Sequence, residues 1–158
     1  MDFLTRSLTQ VKWEQSQCRA EEGIFFGNNR ALLLGKIEDD PDHFHYEVCQ
    51  HTSLPVLMTA QPQDWAELME CAGCRIEQDG MLVTAGQGNG EGDGYIAVSR
   101  KDDNWLVWLI HINDAEDMIE LSVEGKTIHA LSQHYPIAYE WTIAIDDPES
   151  IRAERVRM

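Results

Sequence analysis

Apolar and polar residues alternate along most of the chain, in short runs that end at turn-forming residues. In residues 43–49 every second residue from Phe44 onward is apolar, which predicts a strand buried on one face. The pairs Asn28-Asn29 and Asp79-Gly80 separate apolar runs and predict tight hairpins. We expect the other strands at 24–26, 31–37, 75–78, 81–85, 95–99, 105–112, 118–123, 127–132 and 138–145.

A different period, close to that of a helix, marks one segment of the chain. Its apolar residues recur at the i, i+3, i+4 and i+7 spacing, at Trp65, Leu68, Met69 and Ala72. Pro62 stands where a first helical residue is tolerated, and Gly73 can end a helix. We therefore predict a helix over 62–73, and we expect an N-terminal helix within 1–22, where apolar positions fit the helical period more loosely.

These elements together predict an α+β fold dominated by a curved antiparallel β-sheet of about nine strands. A chain of 158 residues is long enough for one hydrophobic core, and no long spacer divides it. We expect a single domain over 1–158, in which 1–22 is the least regular segment and 151–158 is a basic tail.

Charge is unevenly distributed along this fold. Between residues 37 and 150 there are 23 Asp and Glu against four cations, a local net charge of −19, and the whole chain carries −16. A negative field of this size repels nucleic acid and anionic membranes, and it speeds association with a basic partner. The arginines of the last eight residues are too few to form a nucleic-acid surface. We expect neither nucleic acid nor membrane as a partner.

The N-terminus has no basic region followed by an apolar run, and no window approaches the length of a membrane span. Four cysteines in such a chain favour reduced thiols rather than a disulfide framework. The sequence thus predicts a cytoplasmic protein, either a monomer or a homodimer.

Acidic residues concentrate at the predicted turns, and strand ends can gather on one rim of a sheet. The candidate partner-binding residues are Glu38, Asp39, Asp40, Asp42, Glu91, Asp93, Asp102, Asp103, Asp114, Glu116 and Asp117. Candidate aromatic anchors are Trp105, Trp108, Tyr135 and Tyr139. His43 and His45 share one strand face beside an acidic turn, where the charge of a partner surface would respond to pH.

Two motifs invite a chemical interpretation, and neither predicts a cofactor. Cys71 and Cys74 form a C-x-x-C, which would be half of a zinc site if Cys49 and His51, or His43 and His45, supplied the other ligands. Its position at a predicted helix C-terminus disfavours redox catalysis. A single C-x-x-C favours structural thiols, because buried cysteine is common. The glycine-rich segment 86–94 has carboxylates and no cation, so it predicts an exposed loop rather than a phosphate cradle.

A strongly acidic domain without a catalytic motif favours a binding protein that covers a basic cleft, such as the phosphate-binding cleft of a nuclease toxin. The C-terminal half carries a pattern of apolar strands at 105–108, 118–123, 127–132 and 139–143, followed by the acidic turn 146–148. In this pattern, and in size and acidity, the chain resembles the immunity proteins of bacterial polymorphic and contact-dependent growth inhibition toxin systems. The resemblance implies a cognate toxin as partner and no enzymatic activity.

Three alternatives remain at this point. A chaperone for a secreted effector is also small, acidic and cytoplasmic, although such proteins generally close on a long C-terminal helix. An enzyme or zinc protein would use Cys71 and Cys74 with nearby histidines. Adaptation to high salt would explain the acidity and the four lysines, but it fits the five tryptophans and the localised charge less well.

Overall fold

Twelve antiparallel strands and two short helices form the protein in the computed structural model, which describes residues 6–89, 92–134 and 136–157. In chain order the elements are α1 (Leu8–Glu14), β1 (Gln17–Arg19), β2 (Gly23–Phe26), β3 (Arg30–Asp40), β4 (His43–Ser53), α2 (Leu54–Ala60), β5 (Trp65–Gln78), β6 (Met81–Gly88), β7 (Asp93–Arg100), β8 (Leu106–Ile112), β9 (Met118–Glu124), β10 (Thr127–His134), β11 (Ile137–Ala144) and β12 (Asp147–Arg157). The predicted antiparallel, α+β character of the fold is confirmed.

The strands form one sheet in the order β1-β5-β6-β7-β8-β2-β3-β4-β12-β11-β10-β9. Both hairpins predicted from residue pairs are confirmed: Asn28-Asn29 connects β2 to β3, and Asp79-Gly80 connects β5 to β6. Asn29, Asp79 and Gly80 all have positive φ, which is the backbone conformation that tight hairpin turns require.

The helix predicted over 62–73 is wrong, because most of this segment lies in β5. Ala66 is fully buried, whereas Met69 is 62% exposed and Ala72 is also exposed. The residues with helical spacing therefore share no buried face, and pairing with β6 determines the conformation instead.

An irregularity within β5 explains why the alternation was hidden in the sequence. The register with β6 shifts between Glu70 and Arg75, and Gly73 within this bulge has φ +79°. The side chain that next points into the core is Cys74, which is fully buried. The bulge thus changes which positions of the strand face inward, so β5 has no single alternation along its whole length.

The estimate of about nine strands is too low because two strands were not expected. β1 lies within the 1–22 segment for which we expect a helix, and β12 includes residues 151–157, which pair with β4 and β11 rather than forming a tail. β5 extends the expected strand 75–78 back to Trp65. The N-terminal helix exists but is short, as α1, and residues 1–5 lie outside the described part. The second helix, α2, begins with Pro55 in its first turn.

Hydrophobic side chains pack on both faces of the sheet. The larger core includes Ile24, Leu32, Phe44, Ile96, Trp108, Ile110, Met118, Ile128, Trp141 and Ile143. The smaller core lies on the opposite face, beneath α1 and α2, and includes Cys18, Phe25, Ala31, Leu57, Ala66, Tyr95 and Leu109. β7 and β8 contribute to both cores, and both lie in the interior of the strand order.

The sheet curls until its last strand, β9, lies against β5. The Cys74 thiol donates to the carbonyl oxygen of Met118 over 3.9 Å, and the Gln78 side chain donates to the carbonyl of Gly125. These contacts cover the inner side of the larger core. Neither helix of the described residues has the length and apolar character needed to cross a membrane.

Candidate functional site

The antiparallel register distributes the acidic turns over two ends of the sheet. The start of β2, the β6–β7 turn and the β8–β9 connection lie together, because Gly23 and Tyr95 both pair with His111 near the end of β8. The β5–β6, β7–β8 and β9–β10 turns lie at the opposite end. We call the first group the acidic end, and its members are Glu22, Asp93, Asp114, Glu116 and Asp117. Glu91 was also a candidate there, but it lies outside the described residues.

The β8–β9 connection is held in place by backbone hydrogen bonds. The Asn113 N–H donates to the Glu22 carboxylate over 3.0 Å, and the Glu116 N–H donates to the Gly92 carbonyl over 2.8 Å. Ala115, between them, is 2% exposed and is part of the larger core. The carboxylates of this connection therefore extend from a fixed backbone.

Backbone strain accompanies this arrangement. Glu116 has a φ of +69°, a region that residues other than glycine, asparagine and aspartate seldom adopt. Asp114, at +58°, is of a type that tolerates this region. Gly94 of β7 permits the close packing, because a Cβ there would lie 2.8 Å from the Glu116 carbonyl oxygen. Strain of this kind persists where the surrounding structure enforces it, often at functional sites.

Two carboxylates of the acidic end have a raised pKa. The pKa of Glu22 is raised, chiefly by burial and further by the charges of Asp114 and Asp93. The pKa of Asp93 is likewise raised, chiefly by burial, although His111 opposes that shift. A nearby cation would lower the pKa of both carboxyl groups, because a positive charge favours their ionised forms.

Buried polar groups support Asp93 from below. His111 is fully buried, with its Nε2 atom 3.6 Å from the Asp93 Oδ2 atom and its Nδ1 atom 3.2 Å from the Glu21 carbonyl oxygen. Burial lowers the pKa of His111, so its neutral form is favoured. Arg19, 1% exposed, pairs with Glu21 over 2.9 Å. Asp93 thus lies next to a buried polar cluster, and its Oδ1 atom accepts from the Asp114 N–H over 3.4 Å.

Asp102 and Asp103 lie at the opposite end, so the candidate residues do not form one rim. Arg100 binds Asp103 in a bidentate pair and lowers its pKa. Lys101 and Lys126 also lie at this end, paired with Glu77 at 2.9 Å and with Asp146 at 2.8 Å. Most cations of the acidic stretch are therefore located away from the acidic end.

The turn between β3 and β4 extends in the same direction as the acidic end. β3 passes Glu22 at Leu34, whose N–H donates to the Glu22 carbonyl over 3.1 Å, and it continues to Asp40. The turn holds the remaining candidate residues, Glu38, Asp39, Asp40 and Asp42. All but the half-buried Asp42 are exposed, so this hairpin adds a second acidic projection beside the acidic end.

The two histidines of β4 are bound to that turn. His43 Nδ1 lies 2.9 Å from Asp40 Oδ1, and His45 Nδ1 lies 2.8 Å from Asp39 Oδ2. These contacts raise the pKa of both imidazoles. His43 and His45 share the face of β4 opposite Phe44, as the alternation of the sequence indicated.

The candidate aromatic anchors separate into different environments. Trp108 is 2% exposed and donates to the Ile145 carbonyl over 2.8 Å, so as a core residue it is not an anchor. Trp105 lies beside Arg100 at the opposite end, and Tyr135 is outside the described residues. Tyr139 is half-buried and lies near the acidic end, in a cavity that the sequence did not predict.

This aromatic cavity, of about 300 Å³, opens beside the β8–β9 connection. Its walls are Phe44, Tyr46, Tyr139 and Trp141, and its mouth is formed by Glu22, Lys36, Asn113 and Asp114. The sequence signal for the walls was present, since these residues alternate inward along β4 and β11. Nothing in the sequence indicated that these strands would meet the β8–β9 connection, because that depends on sheet order.

Cys71 and Cys74 show no sign of activation as thiolates. Burial raises the pKa of Cys74 to about 11. The pKa of Cys71 is also raised, by burial and by the charges of Asp117 and Glu70. Cys18 and Cys49 are likewise free. In residues 6–89, 92–134 and 136–157 no cluster of three or more His, Cys, Asp or Glu could hold a metal ion.

The glycine-rich segment is more ordered than expected. Residues 86–88 end β6 and residues 93–94 begin β7, so these parts of the predicted exposed loop are paired strands, and residues 90 and 91 lie outside the described part. Its glycines allow close approach of neighbouring backbone, as at Gly94.

Comparison of the chain with models of protein families, with curated proteins and with solved structures found no match in any of the three. The functional argument therefore depends on the charge and geometry of this chain alone.

Proposed function

We propose that the protein is an acidic binding protein, most specifically an immunity protein that neutralises a cognate basic toxin by covering its active or substrate-binding cleft. The acidic end supplies the docking surface, and the partner is nuclease-like because such a cleft must hold phosphates. Carboxylates of the inhibitor then occupy the positions that phosphates of the substrate would take.

The observation that carries the proposal is the combination of fixed backbone and uncompensated charge at the acidic end. The β8–β9 connection is anchored by Ala115 in the core and by hydrogen bonds to Glu22 and Gly92. A pre-ordered surface loses little conformational entropy on binding, so more of the interaction energy contributes to affinity. Burial raises the pKa of Glu22 and of Asp93, and a basic partner would favour the ionised form of both carboxylates.

The alternative hypotheses gain less from the geometry. The C-terminal residues form β11 and β12, where an effector chaperone would generally have a long helix. An enzyme or zinc site at Cys71 and Cys74 would need a thiolate, which burial of these thiols disfavours.

The proposal predicts that a gene next to this one encodes a basic polypeptide, the cognate toxin, and this polypeptide is the partner for the test. Co-expressed and purified together, the two proteins should form a complex, and an equimolar amount of this protein should abolish the toxin's activity. Full toxin activity in the presence of the protein, with no complex formed, would refute the proposal.

Two triple variants with the same change of charge locate the surface. Neutralising the acidic end with Asp114→Asn, Glu116→Gln and Asp117→Asn should weaken inhibition by about tenfold or more. Neutralising the opposite end with Asp79→Asn, Asp102→Asn and Glu124→Gln should leave it almost unchanged. Equal losses in the two variants would mean that overall charge, rather than the acidic end, determines binding.

A further inference from the structure

The aromatic cavity combines features that bind cationic side chains in proteins. The rings of Phe44 and Tyr139 meet edge to face at 5.3 Å, and those of Phe44 and Trp141 at 5.6 Å. Tyr46 and Trp141 are nearly parallel at 6.2 Å. The faces of such rings carry partial negative charge, which attracts ammonium and guanidinium groups.

The protein already places one of its own cations against this cavity. The Lys36 Nζ atom lies 4.2 Å from the centroid of the Phe44 ring. Its nearest carboxylate contact is a loose one, 3.8 Å from Glu38, and the lysine side chain is 41% exposed. Lys36 therefore shows that the ring face accepts a cation, and its exposed, weakly paired side chain can move aside.

Tyr46 lies in the same cavity as the carboxylates that line it. Its side chain is 5% exposed. Burial raises the pKa of Tyr46, and the nearby charges of Glu22 and Asp114 raise it further, which places the ring close to both carboxylates. A neutral phenol beside two carboxylates can accept a hydrogen bond from a donor that the carboxylates also attract.

The mouth of the cavity is suited to a group with several donors. Glu22 and Asp114 face it from β2 and from the β8–β9 connection, against the single charge of Lys36. The next cation is Arg155, which is opposite Tyr139 in the β11–β12 register. The volume of about 300 Å³ is at the lower limit for ligand cavities, so a side chain fits better than a larger molecule.

We propose that the aromatic cavity receives an arginine side chain of the basic protein partner, whose guanidinium stacks on the rings and donates to Glu22, Asp114 and the Tyr46 hydroxyl. Arginine is favoured over lysine because its planar fork can serve two carboxylates while its face lies on an aromatic ring. The inference rests on the proposed function for its partner, but the cavity can be tested without that partner.

The probe is Nα-acetylarginine amide, added to the isotope-labelled protein while amide and indole N–H signals are recorded by NMR. Saturable shifts are expected at residues around the cavity, including the Trp141 indole and the Asn113 amide. The citrulline analogue has nearly the same shape without the charge, and it should cause little change. Equal shifts from both compounds, or shifts spread over both ends of the sheet, would overturn the proposal.

Variants with matched charge changes separate the cavity from the general field. Asp114→Asn retains a residue that tolerates positive φ, and it should weaken binding of the probe about two- to fivefold, as should Glu22→Gln. Asp102→Asn removes the same charge at the opposite end and should have no effect. Lys36→Met should strengthen binding, whereas Lys126→Met should not. Indistinguishable effects within either pair would overturn the proposal.

The outcomes distinguish the cavity from the proposed function. If the neighbouring toxin is inhibited but the probe does not bind, the arginine site is wrong and the immunity function stands. If the probe binds as described but no toxin is inhibited, the cavity is a cation site and the partner assignment is wrong.

Discussion

At the scale of single residues, the charges of His43 and His45 are set by the carboxylates of the β3–β4 turn. His43 is exposed and His45 is half-buried, and hydrogen bonds to Asp40 and Asp39 raise the pKa of each above its ordinary value. Because the protonated forms are favoured in the folded state, their contribution to stability is complete below the unfolded pKa of 6.5 and is lost as pH rises through the folded pKa.

The pairing predicts a selective response to substitution. Asp40→Asn retains an acceptor for the backbone N–H groups of Asp42 and His43 but removes the charge, so the pKa of His43 should fall towards its ordinary value. His45 should remain unchanged, because its partners are Asp39 and Glu47. NMR titration of the two imidazole Cε1–H signals measures this. A parallel fall in both pKa values would contradict the assigned pairs.

At the scale of elements, the β8–β9 connection depends on its packing against β7. A Cβ at Gly94 would lie 2.8 Å from the Glu116 carbonyl oxygen and 3.1 Å from a Met118 side-chain carbon. Gly94→Ala should therefore reduce the free energy of unfolding by about 1–3 kcal/mol and shift the amide signals of 113–117. Urea unfolding and NMR spectra measure the two effects.

Gly35→Ala is the matched control for that substitution. Gly35 also lies within a strand, but no atom lies within 4 Å of the position of its Cβ. Its stability should remain within about 0.5 kcal/mol of that of the original protein. If the two alanine variants were equally stable, the connection would not be held by close packing at Gly94.

Elements whose signal is local could be predicted from the sequence, and those set by long-range pairing could not. The Asp79-Gly80 hairpin follows from two residues that adopt positive φ, and β4 follows from its alternation. β5 was mistaken for a helix because a bulge at Gly73 breaks its alternation, and only pairing with β6 reveals the strand. In β5 the local sequence pattern favours a helix, but the tertiary contacts determine that the segment forms a strand.

The location of the candidate site, like the fold, could be predicted only in part from the sequence. The acidic turns were recognisable, and Asp93, Asp114, Glu116 and Asp117 do lie together. Asp102 and Asp103 were grouped with them because the direction of each strand in the sheet cannot be read from composition. Glu22 was missed for the same reason, since it reaches the β8–β9 connection through the pairing of β2 with β8.

At the scale of the whole molecule, the excess of carboxylates opposes folding. The chain has 28 Asp and Glu against 12 Lys and Arg, so ion pairs cannot neutralise the majority of the acids. Most pairs of the described residues are exposed, and such pairs contribute about 0–1 kcal/mol each. Repulsion among the unpaired carboxylates therefore outweighs the attraction within the exposed ion pairs, although salt screens both.

Salt should consequently raise the stability of the protein. Between about 20 mM and about 500 mM sodium chloride the Debye length falls well below the spacing of most surface charges, and the midpoint of thermal unfolding should rise. Circular dichroism measures it. The triple variant Asp114→Asn, Glu116→Gln and Asp117→Asn should show a smaller rise. A midpoint that falls with salt would mean that the ion pairs at the opposite end dominate.

The same screening by salt should weaken binding to a basic partner, although it stabilises the protein itself. If the acidic end docks a basic toxin, raising the salt concentration removes the attraction that speeds the encounter, so the association rate should fall while the protein becomes more stable. Stopped-flow mixing with the neighbouring toxin measures that rate, and the triple variant of the acidic end should lose most of its salt dependence. An association rate independent of salt would contradict electrostatic docking even if the complex formed. The two salt responses together separate charge that serves binding from charge that serves solubility alone.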